Sequence, residues 1–123
     1  IYLPPTTPTR NLEHVLNVLK KVVKENASGA WSVTKIDKKF HPLKILLNSN
    51  GFIKLHSMLG KKVLARQMLS DAFIRNGVFY IFSIKHLKKY KTIYLKNLIL
   101  SETKYEISNI DTLDDLKNAR KIF

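Results

Sequence analysis

Between residues 12 and 36 the sequence changes its apolar period once, and that change limits the folds open to it. Leu12, Val15, Leu16, Val18, Leu19, Val22 and Val23 recur at helical spacing, which predicts an amphipathic helix of about four turns. Asn11 suits its cap and Asn26 to Gly29 its stop. Directly after the glycine, Ala30-Trp31-Ser32-Val33-Thr34-Lys35-Ile36 is β-rich and alternating, the pattern of a strand. Ahead of the helix, the apolar stub Ile1-Tyr2-Leu3 runs into Pro4-Pro5 and the loop Thr6 to Arg10, too rich in proline for a helix interior or a central strand. The order strand, helix, strand predicts an α/β layered domain with a mostly parallel sheet. In such sheets ligands gather beyond the carboxyl ends of the strands. This would bring the Pro4 to Arg10 loop, the end of the Trp31 strand and the loop around Asp111 to one rim.

The remainder reads less regularly. Two short apolar pieces flank Asn48-Ser49-Asn50-Gly51, and the Asn-Gly pair suits a tight hairpin turn, so a β-rich excursion is expected between residues 37 and 69. Ala72 to Ile84 carries the densest β signal, and Gly77 within it marks a bulge or a close backbone approach. A Lys-rich helix is expected over Ser83 to Lys91, two short strands within Ile93 to Ile107, and a final helix opened by Asp111-Thr112-Leu113-Asp114-Asp115. There, Thr112 three residues before Asp115 makes a capping pattern.

With 123 residues the chain suits one modest core. The absence of Cys removes disulfides and thiolate metal sites from consideration and fits a cytoplasmic setting. The longest apolar run, Gly77 to Phe82, is far short of the roughly 20 residues that span a bilayer. A net charge of +13 points to an anionic partner. Yet 18 of the 22 basic residues are Lys and only 4 are Arg, whereas bidentate reading of phosphates and guanines favours Arg. The charge therefore reads as solvated Lys faces, and nucleic acid is the disfavoured partner. His14, His41, His56 and His86 show no paired spacing for zinc. Trp31 reads as a core residue.

Four segments, in order, resemble one family, the acylneuraminate cytidylyltransferases (CMP-sialic acid synthetase-like). Leu3-Pro4-Pro5-Thr6-Thr7-Pro8-Thr9-Arg10 is similar to that family's Leu-Gln-Pro-Thr-Ser-Pro-Leu-Arg loop. Phe40-His41-Pro42-Leu43-Lys44 matches its His-Pro. Ala65-Arg66-Gln67 and Phe73-Ile74-Arg75-Asn76-Gly77-Val78-Phe79-Tyr80-Ile81 resemble its Arg-Gln and Asn-Gly-Ala-Ile-Tyr-Ile segments, and Asn109-Ile110-Asp111-Thr112 resembles its Asp-Ile-Asp-Thr. The resemblance covers nearly the whole chain. It implies the C-terminal portion of a nucleotide-diphospho-sugar-transferase-like, Rossmann-like domain, with residues 37–69 as a dimerisation excursion. The family's N-terminal Gly-, Arg- and Lys-rich loop, which cradles the triphosphate, has no counterpart, since Gly60-Lys61-Lys62 lacks the other glycines and follows no strand. The chain is expected to be inactive by itself and to act as part of a longer one.

The implied activity is transfer of CMP from CTP to an acidic nine-carbon sugar of the sialic, legionaminic or pseudaminic type, assisted by Mg²⁺ and releasing pyrophosphate. Two residues i and i+2 in a strand face the same way, so Asn109 and Asp111 could offer oxygens to one Mg²⁺. Asp111 becomes the candidate catalytic and metal-binding residue, with Asn109, an amide where the family has an acid, as its partner. Carried over by position, Thr6, Thr7, Arg10, Arg66, Arg75, Asn76 and Tyr80 become substrate-side candidates. A guanidinium among them could bond both oxygens of a sugar carboxylate. Plainer readings stand beside these: Asp111 as part of a helix start, Arg66 as a solvated loop residue, Tyr80 as a strand aromatic, Asn76-Gly77 as a turn, and the Pro-rich loop as a connection without a ligand. Pro4 replaces a family Gln, which removes an amide able to bond substrate. A homodimer is expected. The alternative functions are a basic nucleic-acid-binding module and a non-catalytic, degenerate relative.

Overall fold

The computed structural model describes residues 1–121. The chain divides into two compact units, one made of Ile1–Thr34 and Arg75–Phe123, the other of Lys35–Ile74. The first is a small α/β unit.

Helix α1 (Leu12–Lys24) starts where the Asn11 side chain accepts the His14 N–H at 3.0 Å, which satisfies one of the donors a helix start leaves over. It ends at Asn26, whose φ of 49° turns the chain out of the helix, a conformation that Asn tolerates better than most residues. Val15, Val18 and Val22 form its buried stripe. They pack with Ala30, Val78, Phe79 and Ile81, and with the half-buried Leu19, Ala27, Ile99, Tyr105 and Ile107. Phe79 is fully buried at the centre of this core.

The sheet under the helix has the order β4 (Phe73–Phe82), β1 (Gly29–Lys35), β5 (Leu98–Glu102). β1 and β5 are parallel, with Ala30 beside Ile99 and Ser32 beside Ser101. On the other side the partners run in opposite senses. The Ser28 carbonyl accepts from the Ser83 N–H at 2.9 Å, Ser32 meets Phe79, and Thr34 meets Asn76. β4 is therefore antiparallel to β1, and Tyr2 adds an antiparallel bridge to Tyr80 on its far side. This corrects the expected mostly parallel sheet to a mixed one. Reversal follows from the connection, because residues 36–72 leave from the end of β1 and bring the chain back at that same end.

Gly77, at φ +74°, breaks the regularity of β4. Beside it the fully buried Ser32 hydroxyl takes the place of a backbone partner. It donates to the Phe79 carbonyl and lies equally 2.9 Å from the Phe79 N–H. Helix α2 (Ile84–Tyr90) follows at Ser83, and α3 (Leu113–Ala119) opens with a Thr112 and Asp115 capping box. A second strand was expected within Ile93 to Ile107. Residues 103–112 instead form irregular chain, from which Tyr105 and Ile107 still pack on the core.

The second unit contains the expected hairpin. β2 (Leu46–Ser49) and β3 (Phe52–Leu55) pair antiparallel, Leu46 opposite Leu55 and Ser49 opposite Phe52. Asn50 and Gly51 both have positive φ, 52° and 85°, as a twist-matched two-residue turn requires. Short 3₁₀ turns make up much of the remainder, with His41 and Leu69 buried. The Ile36 N–H donates to the Ala72 carbonyl at 3.0 Å, and Lys35 pairs with Asp71 at 2.7 Å, so the ends of the excursion are tied together. Leu46, Leu47, Phe52 and Ile53 of the hairpin are exposed.

Candidate functional site

In the first unit, the carboxyl ends of the two parallel strands carry a connected set of polar side chains. Thr34 lies near the end of β1, and Thr103 directly follows β5. Between them Asn76 donates its two amide N–H bonds, to Thr34 Oγ1 at 3.0 Å and to Thr103 Oγ1 at 3.1 Å. Its Oδ1 accepts from the Val78 N–H at 3.3 Å. The Asn76 amide is thus committed inside the protein, as a buried amide requires.

One layer outward, the Asn76 carbonyl accepts from Asn109 Nδ2 at 3.3 Å. Asn109 Oδ1 lies 2.9 Å from the Thr7 hydroxyl, which is also 3.2 Å from the Gly77 carbonyl. Thr7 is 1% exposed. Its only hydroxyl proton is held between those two acceptors. A side chain on Gly77 would have its Cβ 3.7 Å from Thr7 Oγ1, so space is adequate there and the positive φ is what calls for glycine.

Two backbone bonds join the same segments. The Ile110 N–H donates to the Thr6 carbonyl at 2.8 Å, and the Ser108 N–H to Thr9 Oγ1 at 2.8 Å. Arg10 closes the loop from the other side, giving Nε–H to the Val78 carbonyl at 2.8 Å and an Nη2 hydrogen to the Pro4 carbonyl at 2.6 Å. Five of the sequence-derived candidates, Thr6, Thr7, Arg10, Asn76 and Asn109, therefore belong to one hydrogen-bonded assembly. Asp111 continues from it.

The exposed face of this assembly consists of the Thr6 side chain, Asn109 and Asp111. The Asp111 N–H donates to Asp115 Oδ2 at 3.2 Å, and its own carboxylate has no hydrogen-bond partner among the described residues. Asp115 is different. Its carboxylate accepts from the hydroxyl and N–H of Thr112 and from the Asp111 N–H, and these bonds hold its pKa below the ordinary 3.8.

Asn109 and Asp111 sit in irregular chain and not in a strand, so the side-by-side geometry expected of positions i and i+2 in a strand does not apply. No group of three or more His, Cys, Asp or Glu side chains that could hold a metal ion occurs among the described residues. The donors offered to a cation are the Asp111 carboxylate and the Asn109 amide oxygen, already in contact with Thr7.

Three further candidates stand elsewhere. Tyr80 pairs with Tyr2 through both backbone bonds, at 2.8 and 2.9 Å, and stacks on it at a ring separation of 6.1 Å. The Arg75 guanidinium covers Trp31 and Tyr94, 5.4 and 5.6 Å from the ring centroids. Trp31 is accordingly half-buried, and its Nε1 is buried without a hydrogen-bond partner among the described residues. Arg66 belongs to the second unit, where its guanidinium pairs with the Asp37 carboxylate. That pair and the Lys39 N–H keep the Asp37 pKa low, the backbone bond being the larger cause. Lys44 and Arg66 border a shallow cavity of about 210 Å³ there.

One pair escaped sequence reasoning. His14 Nε2 lies 2.8 Å from Ser101 Oγ, and Nδ1 lies 3.4 Å from the Tyr105 hydroxyl. The ring meets Phe79 and Tyr105 edge-on. Burial lowers the His14 pKa. Ser101 is itself buried, so the arrangement fastens α1 to β5 and presents no accessible nucleophile. The separation of 87 residues leaves no local signal for it.

No protein-family model matches the sequence, and no curated protein matches it significantly. The residues themselves carry the functional argument.

Proposed function

We propose that the chain forms part of a cytidylyltransferase that moves CMP from CTP to an acidic nine-carbon sugar and releases pyrophosphate. The observation that carries this reading is the 2.9 Å approach of the Thr7 hydroxyl to Asn109, with the Ile110 to Thr6 backbone bond beside it. The segments that resemble the family's substrate loop and its metal-binding motif meet at the carboxyl ends of β1 and β5, the rim at which α/β sheets bind ligands.

In this reading a sugar hydroxyl attacks the α-phosphorus of CTP, and the bond to the bridging oxygen breaks as pyrophosphate leaves. Mg²⁺, when bound, would neutralise charge on the phosphates. Asp111 would hold it, with Asn109 as an uncharged neighbour. Thr6 presents a hydroxyl to the ligand. Thr7, Arg10 and Asn76 act from behind, because their polar atoms already hold the loop, β4 and the 109–111 segment in register. For the sugar's carboxylate and hydroxyls the family resemblance offers Arg75 and Tyr80 of the same unit, which stand outside this hydrogen-bonded assembly. The exposed apolar hairpin supports a homodimer paired through the second unit, since such a surface marks an interaction site when it is contiguous. A cytoplasmic setting belongs to the same proposal; no helix among the described residues is long and apolar enough to cross a membrane.

The test is pyrophosphate release from CTP, measured with sialic, legionaminic and pseudaminic acids on the protein carrying a triphosphate-binding segment. Release with one of them is expected, and failure with all three overturns the proposal. The 123-residue chain by itself should give none. The net charge of +13 keeps a nucleic-acid-binding module as the second reading. Filter binding at two salt concentrations separates the two, because phosphate-driven binding weakens steeply with salt.

A further inference from the structure

The opposite ends of the same parallel strands enclose a cavity of about 340 Å³, within the usual range of roughly 300–1,000 Å³ for small-molecule sites. Ser28, just before β1, forms part of its lining, and Leu95 and Lys96, just before β5, form another part. His86 and Tyr90, one turn apart on α2, line it as well, and Tyr94 does so from the loop after α2.

Its floor is backbone held in place. The Ser28 N–H donates to the Asn97 carbonyl at 3.1 Å, and the Ser28 carbonyl accepts from Ser83, the residue that starts α2. Its walls are rings: His86 and Tyr90 lie nearly parallel, at an interplanar angle of 11°. His86 Nδ1 is buried and has no hydrogen-bond partner among the described residues, although buried polar atoms are normally paired.

The chain segment that supplies most of the lining carries charge of one sign. Residues 72–101 contain Arg75, Lys85, Lys88, Lys89, Lys91 and Lys96 and no Asp or Glu. Lys96 reaches the cavity itself, and the Lys89 ammonium lies 5.2 Å from the Tyr90 ring centroid. Aromatic rings offer a face to a flat ring, and an ammonium takes an anion.

We propose that this cavity is a binding site for a small ligand that joins a planar ring to an anionic group, a nucleoside monophosphate being the simplest example. It lies at the rim opposite Thr7, Asn76 and Asn109 and does not rest on the cytidylyltransferase reading. The site is a regulatory or carrier site and not a place of chemistry, since nothing in its lining is arranged as a nucleophile with a base.

The experiment is a titration of the isotope-labelled 123-residue chain with AMP, adenosine and inorganic phosphate, followed by amide and imidazole NMR shifts. AMP should move the signals of Ser28, His86, Tyr90 and residues 92–96 saturably, and bind at least about tenfold more tightly than adenosine or phosphate alone, as the loss of a charge-assisted contact predicts. Lys96→Gln and Tyr94→Ala should each weaken AMP by about tenfold, Lys96→Arg should retain it, and Lys54→Gln, in the hairpin, should change nothing. Equal affinity for phosphate alone, shifts scattered over all lysines, or folded Lys96→Gln and Tyr94→Ala variants that bind unchanged would each overturn the proposal.

Discussion

His14 Nε2 lies 2.8 Å from the Ser101 hydroxyl and thereby joins the first turn of α1 to the parallel strand β5. The burial that accompanies this contact lowers the His14 pKa from its ordinary 6.5, because taking the ring out of water penalises its charged form. The unfolded chain therefore binds the proton more readily than the native one. The contribution is present in full above about pH 6.5 and is lost as pH falls through the lowered native value. Chemical denaturation between about pH 5 and pH 8 should show a midpoint that rises with pH. In His14→Gln that slope should be shallower; an unaltered slope would remove His14 as its source.

Thr7→Val keeps the shape of the side chain and deletes the proton shared by Asn109 Oδ1 and the Gly77 carbonyl. A buried acceptor left unmatched costs about 1–3 kcal/mol, and the loss should appear in urea unfolding. A double-mutant cycle with Asn109→Ala should give a coupling of about 0.5 kcal/mol or more. Additive effects would mean that the two side chains do not act on each other.

Ser32→Ala should destabilise by about 1–3 kcal/mol although it removes only one oxygen, because both the N–H and the carbonyl of Phe79 depend on that hydroxyl. Phe79→Ala, which empties the centre of the core, should cost about 3–5 kcal/mol. A Ser32→Ala protein with wild-type stability would show that the bulged stretch of β4 finds other partners.

Asp111→Asn should lower CTP-dependent pyrophosphate release by about a hundredfold or more, the scale of a lost metal-directed charge, and raise the Mg²⁺ concentration needed. Asp114→Asn is the control, since Asp114 is exposed and, among the described residues, pairs only with Lys117, at 2.8 Å. Equal rates for the Asp111 variant and the wild type would take Asp111 out of the proposed site.

What the sequence disclosed was mostly local. The Asn11 cap, the amphipathic period of α1, the Asn50-Gly51 turn and the Thr112 capping box each depend on residues within one or two turns, and each occurs where the residue pattern puts it, although of the seven apolar positions of the helix Leu12, Leu16 and Val23 are exposed and the buried stripe is Val15, Val18 and Val22. The direction of β4 was not legible, because it depends on where a 37-residue connection, residues 36–72, returns. Tyr105 and Ile107 mimicked a strand because they face the core, yet they do so from irregular chain. At the candidate site, the meeting of Thr6 and Thr7 with Asn109 and Ile110 agrees with the expected shared rim. The commitment of Asn76 to two threonines and of Arg10 to two carbonyls has no signature in the sequence, since an amide or guanidinium looks alike whether it meets a ligand or the backbone.

The chain carries two Asn-Gly pairs, and their surroundings set them different chemical fates. Attack of a glycine nitrogen on the preceding amide carbon converts asparagine to aspartate or isoaspartate and needs a loose backbone with an unrestrained side chain. At the hairpin tip the Asn50 side chain is exposed and only the Gly51 N–H is held, by Asn48 Oδ1 at 2.9 Å; Asn76 is pinned at both ends of its own amide within the sheet. On storage, ageing of this protein should begin in the hairpin and leave the polar rim untouched, so old preparations would alter the proposed dimer surface long before their candidate ligand site.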